Sequence, residues 1–122
     1  MVGAIAPLGD FNKLRVRALA HYINEIEGDI MPQHTLIKPP SADLEPGQTD
    51  EATFGASYDV VAPLVDLQLN RVSLEELYAR YEREIVARLR RLLEGAEFKR
   101  RQAPFSIRVT NTHFGSDIRL PL

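Results

Sequence analysis

No cysteine occurs anywhere in the 122 residues. A disulfide framework, a thiolate zinc site and a cysteine nucleophile are therefore excluded. The absence is compatible with a cytoplasmic protein, which is the location expected. Glycine is sparse too: there are seven, and no two are adjacent. Neither common glycine-rich phosphate loop is present. No apolar run approaches the roughly 20 residues needed to span a bilayer. The opening MVGAIAPLGD lacks the basic and long apolar regions of a signal peptide. A net charge of −2 gives no whole-molecule field favouring nucleic acid or an anionic membrane. His21, His34 and His113 show no metal-ligand spacing, and no serine sits in a nucleophile elbow.

What is present suits one soluble domain. Hydrophobic residues make up 44% and charged residues 26%, with no internal repeat. Leu14, Ala18, Leu19, Tyr22, Ile23 and Ile26 recur at helical spacing, with Asp10 as a plausible N-cap and Gly28 as the stop. Thr35-Leu36-Ile37 reads as a short buried strand closed by Pro39 and Pro40. Residues 38–57 read as a long flexible loop with room for one helical turn. Ser57 opens a helix in which Pro63 fits badly, unless the helix is kinked or starts near it. Ser73 and Glu76 form a capping box, and a longer helix follows with Ile85, Leu89, Leu92, Leu93 and Ala96 on its apolar side. Phe105, Ile107 and Val109 alternate with Ser106, Arg108 and Thr110, the period of a half-buried strand. The class is mainly α with one or two short strands.

Four places could carry chemistry. Lys13 stands in a helix's first turn, where the dipole disfavours a cation. It is either a solvated lysine covering the helix edge or a phosphate contact beside first-turn amides. Ser41 either closes a local turn or donates to a phosphate oxygen. Asp50 and Glu51 either cap the segment after them or bind Mg²⁺ through oxygen. Lys99, Arg100 and Arg101 suit a helix C-terminus without any ligand, and could equally clamp a carboxylate or phosphate.

Three segments together resemble the ATP-dependent NAD synthetase family. They are Ala6-Pro7-Leu8-Gly9-Asp10-Phe11-Asn12-Lys13, then Lys38-Pro39-Pro40-Ser41-Ala42-Asp43-Leu44-Glu45-Pro46-Gly47-Gln48-Thr49-Asp50 with Tyr58-Asp59-Val60, then Glu97-Phe98-Lys99-Arg100-Arg101-Gln102-Ala103-Pro104 with Phe114-Gly115 and Leu120-Pro121. The last segment is more similar to the long, glutamine-using members than to the short, ammonia-using ones. The resemblance implies a reaction in which ATP adenylates the nicotinate carboxylate of deamido-NAD, pyrophosphate leaves and ammonia attacks. It implies that Lys13 and Ser41 contact the ATP phosphates and that Lys99 contacts deamido-NAD. It also implies that the 38–57 loop orders over substrate. No residue here is implied as catalytic or as a metal ligand; Mg²⁺ arrives with ATP.

The family's Ser-Gly-Gly-x-Asp-Ser phosphate loop is absent from the chain. By resemblance, residues 1–122 are then the C-terminal segment of the synthetase domain, without its phosphate-loop half or a glutaminase domain. The whole would be an α/β adenine nucleotide α-hydrolase-like (Rossmann-like) fold. The expected partners are ATP, deamido-NAD, the missing N-terminal part and a further copy, with no nucleic acid and no membrane. The chain alone is expected to be inactive. The rival expectation is a non-catalytic, self-associating or anion-binding helical module.

Overall fold

A computed structural model describes residues 4–41, 44–113 and 117. Among them are seven helices and a two-stranded parallel sheet. The mainly helical reading with short strands therefore holds. The tail motifs Phe114-Gly115 and Leu120-Pro121 lie outside the described residues.

The core is made by three successive helices: α4 (Tyr58–Leu69), α5 (Leu74–Arg80) and α6 (Arg83–Gly95). Val61 and Leu64 of α4 meet Leu77 of α5 and Val86 and Leu89 of α6. All five are buried, and each such side chain contributes about 1.5–3 kcal/mol through removal from water. Ser73 begins α5 as the capping box predicts, its Oγ accepting from the Glu76 amide at 3.3 Å. The Glu76 carboxylate instead accepts from Arg80 Nη2 at 2.6 Å, one helical turn on. Pro63 neither ends nor starts its helix. α4 begins at Tyr58 and runs through Pro63, and its N-cap Ser57 makes no side-chain cap hydrogen bond.

α1 (Lys13–Glu27) packs across α4. Its cap is Asn12, not Asp10. Asn12 has extended backbone angles, and its Oδ1 accepts from the Arg15 amide at 3.0 Å. Asp10 is instead buried and committed to a distant part of the chain. The apolar face of α1 is only partly covered: Ala20 is buried while Tyr22 and Ile26 are exposed.

Thr35-Leu36-Ile37 is not a strand. It belongs to α2 (Gln33–Ile37), which packs on α1. Leu36 alone turns inward, while Thr35 and Ile37 face solvent, so one apolar contact suffices where a strand would need a ladder partner. Asn24 clamps the connection, donating to the Met31 carbonyl and accepting from its amide, both at 2.9 Å. Within the 38–57 stretch lies α3 (Asp50–Phe54), capped by Thr49 and closed by Gly55 at φ +77°.

β1 (Ile5–Ala6) pairs in parallel with β2 (Phe105–Ser106), Ile5 opposite Phe105. β2 ends sooner than the alternation predicts, and its faces are reversed. Ser106 is buried, whereas Phe105 is 73% exposed and Ile107 and Val109 are about half exposed. The buried hydroxyl is satisfied by His113, which the alternation could not show.

Candidate functional site

A cleft of about 870 Å³ opens between the start of α1, the flank of α4, the end of α6 and the 109–112 segment. Its wall is apolar, with Val61, Val65, Leu89 and Leu93 among the side chains. Its rim is polar and of mixed charge, carrying Asp10, Asn12, Lys13, Asp66 and Thr110. This size and this mix of apolar lining with a few polar groups suit a small-molecule site.

The rim is built from the sequence before α1. The chain turns sharply at 6–11, where the Gly9 amide donates to the Ala6 carbonyl at 2.9 Å and the Phe11 amide to the Leu8 carbonyl at 3.0 Å. Asp10 then faces the far end of the chain. One of its carboxylate oxygens accepts from the amides of Val109 and Thr110 and from the Thr110 hydroxyl, each at 2.8 Å. Two residues on, Asn12 Nδ2 donates to Asp66 Oδ2 of α4 at 3.1 Å. Lys13 follows as the first residue of α1, exposed and without an ion pair among the described residues.

The other two candidates stand elsewhere. Ser41 does not line the cleft. Its hydroxyl donates to the Gln48 carbonyl at 2.6 Å, while the Asp50 amide donates to the Pro40 carbonyl at 2.9 Å. Lys99 is exposed on α7 (Glu97–Arg101), its ammonium 5.9 Å from the Phe98 ring centre, the outer limit of a cation–π contact. Its neighbours are occupied differently. Arg100 Nη2 donates to Glu97 Oε2 at 2.7 Å and Arg101 Nε to Glu97 Oε1 at 2.9 Å.

Asp50 and Glu51 do not cap α3, a role that Thr49 takes. They sit in the first turn of α3 and also reach α4: the Tyr58 hydroxyl donates to Asp50 Oδ2 at 2.7 Å and the Tyr58 amide to Glu51 Oε1 at 2.9 Å. Burial pushes the Tyr58 hydroxyl well above its ordinary pKa. The bond to Asp50 and the charges of Asp50 and Glu51 push the same way, while Arg17 opposes them. Among the described residues no group of three or more histidines and carboxylates could hold a metal.

Sequence reading missed the two tethers of the rim, Asp10 to Thr110 and Asn12 to Asp66. Asp10 and Asn12 both have side chains that cap helices, and only their spacing relative to Lys13 could have separated them.

A family model described as NAD synthase matches residues 1–103. The chain belongs to the NAD synthase family. It is 37% identical to a glutamine-dependent NAD(+) synthetase of Synechocystis sp. and 36% identical to one of Aquifex aeolicus, each alignment covering all of this chain and 22% of the relative. It is 45% identical, over 51% of its length, to an NH(3)-dependent NAD(+) synthetase of Helicobacter pylori, covering 22% of that relative. The chain thus spans about a fifth of the length of the curated relatives it matches. No solved structure matches it. No helix among the described residues is long and apolar enough to cross a membrane.

Proposed function

We propose that this chain is the C-terminal part of a glutamine-dependent NAD(+) synthetase. The intact enzyme amidates deamido-NAD to NAD through an adenylated intermediate, with ATP and Mg²⁺ arriving together as substrate. Its sheet is of the adenine nucleotide α-hydrolase type, extending the β1–β2 pair. Its place is the cytoplasm.

The observation that carries this reading is Lys13. A lysine at the first position of a helix opposes the dipole, and this one has no ion pair among the described residues and lines a ligand-sized cleft. Triphosphate charge resolves the conflict, because an anion there meets both the ammonium and the first-turn amides. When the 38–57 segment closes over substrate as a lid, the Ser41 hydroxyl leaves the Gln48 carbonyl and reaches the same phosphates. Lys99, exposed on α7, meets deamido-NAD.

The chain alone lacks a phosphate loop and does not turn over. The test measures NAD formation from deamido-NAD, ATP and ammonia. The full-length polypeptide is active and loses activity on Lys13→Ala, while residues 1–122 give only the blank rate. Turnover by the chain alone would show that it builds a complete site and would end this reading.

A second reading, a self-associating module, is favoured by the apolar outer face of the sheet, where Ile5 is 62% and Phe105 73% exposed. Light scattering separates the two. A monomer at micromolar concentration rejects the module, and a dimer or larger species supports it.

A further inference from the structure

We infer that Asp10 is a positioning residue for nucleotide binding: it fixes where α1 begins, and so where Lys13 stands. The inference rests on the reading of Lys13 as an ATP contact and adds a residue that touches no substrate.

Two side-chain tethers hold the start of α1. The Asp10 oxygen gathers three donors at 2.8 Å from residues 109 and 110, about a hundred positions away along the chain. Asp10 is buried, so these bonds form where water does not compete for them. Carboxylate acceptors make bonds roughly twice as strong as neutral ones. Asn12 adds the second tether, one side-chain nitrogen on Asp66 and the side-chain oxygen on the Arg15 amide. Between them these bonds pin both the turn at 8–11 and the first helical residue. Lys13 is long and exposed, with no bond among the described residues to hold its head. The placement of its ammonium therefore depends on its backbone, and the backbone depends on Asp10 and Asn12. Asp10, Asn12, Lys13, Asp66 and Thr110 all line the one cleft, so a slip of the turn moves the charge relative to the ligand.

The tethers also join opposite ends of the chain. Residues 109–112 form part of the cleft lining, and the amides of Val109 and Thr110 are held by Asp10 of the N-terminal turn. Loosening one side loosens both walls.

The test is steady-state kinetics and thermal unfolding of the full-length synthetase polypeptide bearing Asp10→Asn, Thr110→Val, both together, or Lys13→Ala. Asp10→Asn keeps the shape and removes the charge. It is expected to raise KM for ATP about tenfold, with kcat within about twofold and KM for deamido-NAD unchanged, the pattern of lost uniform binding. Thr110→Val removes one of the three donors and moves KM for ATP the same way, by about threefold. The double variant is no worse than Asp10→Asn alone, because both act through one network. A merely structural Asp10 would lower the melting temperature and leave KM for ATP unchanged in the enzyme that remains folded, and that result overturns the inference. If Asp10→Asn does not fold, Thr110→Val decides by the same criterion. Lys13→Ala separates the two levels. Should it leave KM for ATP unaltered, the ATP reading fails and this inference with it. Should it raise KM while the Asp10 and Thr110 variants do not, only the inference fails.

Discussion

Ser106 Oγ lies 2.6 Å from His113 Nε2, and both side chains are buried. This pair explains why β2 turns a polar residue inward: the hydroxyl and the ring satisfy each other where water cannot. Gly9 makes the arrangement possible. A Cβ on Gly9 would stand 2.7 Å from Ser106 Cβ and 3.1 Å from the Ala6 carbonyl oxygen. Neither neighbour is the end of a flexible side chain. Gly9→Ala is therefore expected to cost about 1–3 kcal/mol, read as a fall in the urea midpoint with unchanged slope.

Glu97 accepts from Arg100 and Arg101, and the Glu97 and Arg100 side chains are each 3% exposed. Removing the carboxylate leaves the Arg100 charge buried without it. Glu97→Ala is expected to destabilise by about 3–5 kcal/mol. Glu97→Gln, which keeps the acceptor oxygen, is expected to lose less. Equal losses in the two variants would show that the charge contributes nothing.

Tyr58 joins α4 to α3 through Asp50, and it does so as a donor. Its folded pKa lies above the ordinary value of about 10. The sign follows: the stabilisation is fully present below the unfolded pKa and is lost as pH rises above it toward the folded one. Tyr58→Phe is expected to remove the last step of the phenolate absorbance titration. It should also flatten the fall in stability above pH about 10. An unchanged titration would contradict the half-buried, bonded hydroxyl.

Pro63 lies inside α4 and cannot donate to the carbonyl four residues back. Pro63→Ala restores that donor, a gain of up to about 3 kcal/mol for a helix interior. Against this stands about 0.4–1 kcal/mol from the freer unfolded chain, with some packing lost at a half-buried site. The net expectation is a stabilisation of about 1–2 kcal/mol, seen as a higher melting temperature.

The parts legible in the sequence were those with a local cause. The α5 cap at Ser73, the helix α6 and the stop of α1 at Gly28 each depend on residues a few positions apart, although α6 buries Val86 and Leu89 and leaves Leu92 exposed. The misread parts had distant causes. Asp10 has the chemistry of a cap, but its partners are at 109 and 110. Thr35-Leu36-Ile37 has the composition of a strand, yet it packs on the helix α1, and one buried leucine meets that. Of the candidate site, Lys13 could be picked out because a first-turn cation is locally unfavourable. The cleft it borders could not.

The family motifs around Lys13, Ser41 and Lys99, the absence of thiol chemistry and the helical class were determined by the sequence itself, since residue types and short spacings carry them. The tertiary structure alone decided that Lys13 borders the cleft while Ser41 and Lys99 stand apart from it, that Asp10 bonds to Thr110, and that Ser106 faces inward. Those outcomes depend on which surfaces meet across some hundred residues, where burial and hydrogen-bond satisfaction outweigh local propensity.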